Sequence, residues 1–487
     1  MIFGKNAEQM LKYQKAKAKL VEYHVPVNEY PGFTMNSNEL SYPTTYILSR
    51  YSECVIEENQ RELDELEPFL RSAAQYYDAA FNSEDRKIYD VDFLMSGASA
   101  YFLNNDFGSA KVLAEKANTI LENNMDSNPQ TLLLNIYNYL LDGVSLPFLK
   151  GNSIFVEINK YFRDYFEKGQ NQEALKRKLF EYRGVIYGAA DPDDVFYVDI
   201  LLAVIFIACR NSSWELLPRC SDIIMEDWTS YLYKTSSIKM LWPAQRLIAE
   251  KGILRGENAI VQLPTGVGKT KSIELIIRAA FLSHRAHTAI IVAPLRALCN
   301  EITMDMHRSF SKEVTINQFS DVLQNDFSNL FSDNDQKQIL ICTPEKLSYI
   351  LHHDTNFLNL IDLFIFDEGH MFDDGSRGIA YELLVTHIRQ HLSNKQQFVL
   401  LSAVLSNSEK IQKWLFADNG VLASDPKIVS TPKSVGFTSN QKNIYFFTDD
   451  KSEEDYFIPR VIKIQKLKNL PRERKEHLFP DLTSRLL

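Results

Sequence analysis

Cysteine is scarce and unpatterned. The chain has five, Cys54, Cys209, Cys220, Cys299 and Cys342, with no CxxC pair among them. That excludes a disulfide scaffold and a paired-cysteine zinc module, and it fits a reducing cytosol. A continuous apolar leader is also missing: the opening MIFGKNAEQMLKYQKAKAKL is polar and dotted with lysine, so no signal peptide is read there. No apolar run reaches the roughly 20 residues that cross a bilayer. The longest, VFYVDILLAVIFIACR, is broken by Asp199 and predicts a buried helix, so a cytoplasmic protein with no membrane partner is expected. Nor is there an excess of positive charge. The formal net charge of −10 excludes a surface coated in basic residues, while leaving room for a local basic groove along a phosphate backbone. Glycine (18) and proline (17) are too few for extended disorder.

What is present is a chain of 487 residues, long enough for two to four cores, whose patterning changes along its length. From Glu8 to about Lys239 apolar positions recur at helical spacing, with turn clusters such as NNDFG and AADPDD between the pieces. Residues 1–239 are therefore expected to form an all-helical domain. The segment FLMSGASAYFLNNDFGSAKVLAEKANTILE predicts two helices about a turn, in the manner of a tetratricopeptide hairpin. No second copy follows at a fixed period, so an irregular bundle is expected rather than a solenoid. After SSIKMLWPAQ come five runs rich in Ile, Val, Leu or Phe, namely AIVQL, TAIIVAP, QILICTP, DLFIFDE and QFVLLSA. They alternate with helical stretches, as central parallel strands and crossover helices do. Residues 240–432 thus predict a doubly wound α/β domain, with chemistry gathered where the strands end. Residues 433–487 hold NIYFFT, an acidic DDKSEED and a basic RVIKIQKLKNLPRERKEH. They are expected to be a linker and the start of something further, the basic part being a solvated charged helix or a nucleic-acid contact.

Two strand ends carry the chemistry. In VQLPTGVGKT, Val261 to Thr270, a strand gives way to a glycine-containing turn and then a helix. Successive backbone N–H groups and the helix N-terminus make that a phosphate cradle. Gly266 and Gly268 permit the turn, with Thr265 and Val267 between and before them. Lys269 is placed to reach the terminal phosphates of ATP, and the Thr270 hydroxyl to ligate Mg2+. The strict pattern has glycine where Leu263 stands. In LFIFDEGH, two adjacent carboxylates follow a hydrophobic strand, and buried acids need compensation. Asp367 would hold Mg2+ through its waters, and Glu368 would orient and deprotonate the attacking water.

From Pro243 to Asn407 the segments PAQ, PTGVGKT, APLRALCNE, TPEKL, DEGH and LSAVLSN follow one another in order. In this the chain resembles superfamily 2 helicases, the DEAD/DEAH-box group of nucleic-acid-dependent ATPases. The resemblance implies a RecA-like P-loop domain with a parallel sheet; together with the helical N-terminal part read from periodicity, which it does not explain, the chain is expected to be α + α/β. It implies that Gln245 reads adenine, and that Arg296, Thr343, Pro344 and Glu345 lie where the family contacts the sugar–phosphate backbone of DNA or RNA. His370, Ser402 and Val404 would couple hydrolysis to strand separation. Asn407, Trp414 and Leu415, with SRG and Glu382 after DEGH, resemble the Ski-like branch.

The sequence departs from the family in two places. Val404 stands where the family usually carries threonine, removing a hydroxyl from the coupling relay. After it there is no glycine-flanked paired-arginine motif of the QxxGRxGR type. That motif supplies an arginine finger worth about 10³ to 10⁵ in rate in related NTPases. The expectation is a first lobe whose second lobe is cut off or comes from another polypeptide. The architecture fits an antiviral-defence helicase such as the Hachiman type, with a nuclease recruited through the helical part. The competing expectation is an ATP-binding scaffold with a degenerate helicase lobe.

Overall fold

A computed structural model describes residues 5–22, 41–82, 91–121, 128–147, 153–189, 191–310, 314–319, 336–373, 375–403, 405, 407–417, 419–428, 435–438, 444–447, 456–458, 465–466 and 478–479. The chain divides into two compact units: Met1–Asn159, Lys176–Ile207 and Thr431–Leu487 form one, and Lys160–Leu175 with Ala208–Ser430 the other.

The first unit is helical up to Ile207. Its hairpin of Val91–Leu103 and Phe107–Leu121 is the one the sequence predicts. Small residues let its neighbours close in: a Cβ on Gly97 would lie 2.9 Å from Tyr77 Cβ and 2.9 Å from Leu113 Cδ1. Local chemistry sets the helix ends. The Asn128 side chain accepts from Thr131 N ahead of helix Pro129–Asp142, Pro129 sits in its first turn, and Gly143 closes it at φ 69°. The long apolar run forms helix Pro192–Arg210. Its interrupting Asp199 is 5% exposed and accepts from Arg183 Nε at 2.7 Å and Tyr187 OH at 2.6 Å, so the buried charge is paired. No described helix is long and apolar enough to cross a membrane. Beyond residue 430, strands Val435–Thr438, Ile444–Phe447 and Tyr456–Ile458 pair antiparallel, as do Gln465–Lys466 and Leu478–Phe479. The acidic DDKSEED and nearly all of the basic segment lie outside the described residues.

The second unit holds a seven-stranded parallel sheet. Its strands are β1 Asn258–Gln262, β2 Thr288–Val292, β3 Thr315–Gln318, β4 Gln338–Cys342, β5 Leu363–Phe366, β6 Gln397–Ser402 and β7 Gly420–Ser424. They lie in the order β3-β4-β2-β5-β6-β1-β7. Alternate residues feed two cores, as a sheet covered on both faces requires. Ala259, Val261, Ile291, Ile365 and Val399 point into one, with helix Lys269–Leu282. Ile260, Ile290, Leu340, Phe364 and Leu400 point into the other, with helices Pro344–His353 and Gly375–His391.

The boundary at residue 239 falls elsewhere in the structure. Trp214, Leu217, Trp228 and Tyr231 belong to the core of the sheet, so helices Ser213–Ser221 and Met225–Leu232 are part of that unit, which takes up the chain from Ala208. Part of the tie is Arg278 on the helix after β1. Its guanidinium lies 4.3 Å from the ring centroids of both Tyr231 and Phe310, and it donates to Ser309 O at 2.9 Å. Hydrophobic periodicity identifies those two short helices but says nothing of what they pack against.

Candidate active site and nucleic-acid interface

The carboxyl ends of β1, β5 and β6 converge, because β6 pairs with both β1 and β5. Leu263 N, just past β1, donates to Ser402 O at the end of β6 at 2.9 Å. From there the backbone turns through Gly266 (φ 83°) and Gly268 (φ 89°), both in the left-handed region, into helix Lys269–Leu282. Gly268 is required twice over: beyond its backbone, a Cβ there would meet Gln245 Nε2 at 2.7 Å. That amide donates to Gly268 O at 3.3 Å, while Gln245 Oε1 accepts from Trp242 N at 3.0 Å. Gln245 thus braces the glycine turn. Thr265 and Gly266 are exposed, whereas Val267 is buried, so what Val267 can offer a phosphate is its backbone. Thr270 is the second residue of the helix.

Across the gap stand the two acids. Asp367 N continues the ladder to Val292 O at 2.9 Å, and Asp367 Oδ1 accepts from Glu368 N at 2.9 Å. Burial pushes the Asp367 carboxyl above the usual range, the Glu368 charge adds to this, and Lys269 opposes both. Glu368 has a left-handed backbone (φ 54°), a conformation that costs a non-glycine residue about 1–3 kcal/mol and clusters at functional sites. Its Oε1 accepts from Lys269 Nζ at 3.1 Å. This contact unites the glycine turn with the acid pair, 99 residues apart in sequence. Its Oε2 is buried without an aligned hydrogen bond, although His370 Nδ1 lies 3.2 Å away.

These groups fit a nucleotide with Mg2+. A hydroxyl and a carboxylate are the hard oxygen donors that ion takes. A cation would relieve the half-buried Asp367 carboxyl, and the Glu368 Oε2 has no aligned hydrogen bond. Among the described residues no cluster of three or more His, Cys, Asp or Glu forms a closed cage, and Mg2+ commonly needs only one or two carboxylates when phosphates complete its shell.

The expected strand-gripping residues lie at the ends of β2 and β4, which are neighbours. Arg296 opens helix Arg296–Phe310 and is exposed. Thr343 precedes helix Pro344–His353 without capping it by a side-chain bond. Pro344 is buried in the first turn, a helix-starting role. Glu345 is engaged elsewhere: its Oε1 accepts from Arg377 Nε at 2.7 Å. Ser402 is fully buried, and Val404 lies outside the described residues. Sequence reading took Arg377 only as part of a branch signature and gave it no contact.

Residues 242–411, which contain all of these groups, match the DEAD/DEAH box helicase family. The chain carries a DEAD/DEAH box helicase domain. Around that domain the likeness extends further: the Hachiman protein HamB of Bacillus cereus is 23% identical over 483 residues, 93% of this chain and 42% of that protein. The ATP-dependent DNA helicase Hel308 of Thermococcus kodakarensis is 26% identical over 217 residues, 45% of this chain and 18% of that one. Both relatives are much longer than the part this chain spans. Among solved structures, the helicase Lhr of Mycobacterium smegmatis bound to ssDNA and AMP-PNP overlaps 43% of this chain and 28% of its own, with a TM-score of 0.32 and 23% identity.

Proposed function

We propose that the helicase domain binds and hydrolyses ATP with Mg2+ and uses the cycle to move along one strand of DNA or RNA. The observation that carries this is the 3.1 Å contact between Lys269 and Glu368, which supports reading the two as the phosphate-binding ammonium and the general base of one site. The backbone amides of Thr265 to Thr270 and the Lys269 ammonium hold the phosphates. Thr270 and Asp367 hold the ion, which when bound neutralises charge developing on the transferred phosphoryl group. Glu368 orients the attacking water and takes its proton, and Gln245 reads the adenine. Arg296 and Thr343 grip the sugar–phosphate backbone without reading bases, while His370, Ser402 and Val404 pass the state of the nucleotide to that face.

The arginine that completes catalysis comes from a second RecA-like lobe, in cis or in trans. Similarity to HamB along 93% of the chain, helical part included, supports a role in Hachiman-type antiviral defence in the cytoplasm, with the helical N-terminal domain recruiting a nuclease. The test is ATP turnover in the presence of single-stranded DNA, duplex DNA or RNA, with the second lobe supplied. Stimulation by at least one of them is expected. Turnover indifferent to every polynucleotide would leave the scaffold alternative standing instead.

A further inference from the structure

One guanidinium joins three segments of the chain at the carboxyl edge of the sheet. Arg377 Nε donates to Glu345 Oε1 at 2.7 Å, and Arg377 Nη2 donates to Pro294 O. Pro294 lies in the APLRA loop after β2, two residues before Arg296. Glu345 is the second residue of helix Pro344–His353, which follows β4, two residues beyond Thr343. Arg377 itself is on helix Gly375–His391, directly after the 3-10 turn Gly369–Asp373 that completes DEGH.

The next residue fixes that helix to the turn. A Cβ on Gly378 would fall 2.5 Å from Phe372 O and 2.9 Å from Met371 O, so the first turn of the helix rests directly on the carbonyls of the turn. Tyr381, one helical turn on, packs its ring 5.0 Å from that of Phe372 and 5.8 Å from that of Phe366 on β5. The base of Arg377 therefore follows the DEGH turn, while its tip holds the loop at Pro294 and the helix start at Glu345. The Arg377 and Glu345 side chains are 35% and 55% exposed, and ion pairs so open to water add little to stability. Burial raises the Glu345 carboxyl, but the Arg377 bond, its own backbone N–H and Thr343 outweigh it, leaving the group below the usual range and charged. A charged acid beside Thr343 repels a nucleic-acid phosphate unless a cation stays on it.

We propose that Arg377 is a positioning residue that, through Glu345 and Pro294, sets the two backbone-gripping segments according to the DEGH turn and keeps the Glu345 charge off the bound strand. This rests on the helicase reading above. It assigns Glu345 to Arg377 rather than to the nucleic acid, and it makes SRG a mechanical joint.

The experiment titrates the full chain into fluorescent oligothymidylate and oligouridylate with a non-hydrolysable ATP analogue and Mg2+, and measures analogue binding and melting temperature in parallel. Arg377→Ala should weaken oligonucleotide binding by about tenfold, the effect of stripping a charged group of its hydrogen-bonded partner, with analogue affinity and melting temperature unchanged. Arg377→Lys should recover part of the loss, and Glu345→Ala placed on Arg377→Ala should also recover part, because the unpaired acid is gone. Unchanged oligonucleotide binding in Arg377→Ala, or a loss matched by equal losses in analogue affinity and melting temperature, overturns the proposal. So does failure of both second substitutions to restore binding. A wild-type chain that binds neither oligonucleotide defeats the helicase reading, and this inference with it.

Discussion

Lys269 and Glu368 face each other with 11% and 21% of their side chains exposed; Arg377 and Glu345, at the other part of the same sheet edge, with 35% and 55%. The first pair is held by a glycine turn, a left-handed Glu368 and a helix N-terminus. The second links the first turns of two helices, and its arginine also reaches a backbone carbonyl. Desolvation makes the first electrostatically strong and intolerant of change, whereas water and salt weaken the second. A motor needs both kinds: a fixed site where charge develops, and a grip loose enough to release the strand at each step.

The comparison breaks most visibly at the nucleotide end. Glu368→Gln should keep ATP binding and lower turnover by about 10²–10⁴, the range for a general base; single-turnover kinetics checks this. Lys269→Ala should abolish ATP binding, and turnover with it, through loss of the ammonium that would hold the phosphates. Gly268→Ala adds about 1–2 kcal/mol of left-handed backbone cost and displaces the Gln245 amide, so nucleotide affinity should fall together with melting temperature. Asp367→Asn should separate stability from activity. The folded-state pKa of Asp367 is raised, so its ionised form is disfavoured by folding and the stability linked to it is lost as pH rises through that pKa. At pH 7 in EDTA the asparagine variant should melt slightly higher than wild type, with the gap closing as pH falls through the carboxylate range, while Mg2+-dependent turnover is lost. The smallest effect belongs to the exposed pair: Arg377→Ala should alter unfolding free energy by less than about 1 kcal/mol in denaturant titration.

The glycine turn and the acid pair were legible in the sequence because packing alone does not call for two glycines and a lysine after Leu263, or for adjacent acids after Phe366. Central strands were legible for a related reason, since burial on both faces demands Ile, Val, Leu and Phe. The edge strands β3, TINQ, and β7, GVLAS, were not. Each pairs along one side only, its residues are mostly half-buried, and no apolar run is needed. Helices Ser213–Ser221 and Met225–Leu232 were read as helix but assigned to the helical domain, because periodicity does not say which core Trp228 or Tyr231 enters. The Arg377–Glu345 tie was hidden by 32 residues of separation and by exposure, which leaves residue types free. Its visible trace was Gly378, whose need for close approach appears only once the turn beneath it is in place.

Titration calorimetry of a non-hydrolysable ATP analogue with Mg2+ into wild type, Lys269→Ala and Glu368→Gln tests the central claim most directly. Binding by wild type and Glu368→Gln, and none by Lys269→Ala, is the predicted result. Equal binding by all three, or binding by none, would contradict a nucleotide seated between the glycine turn and the acid pair.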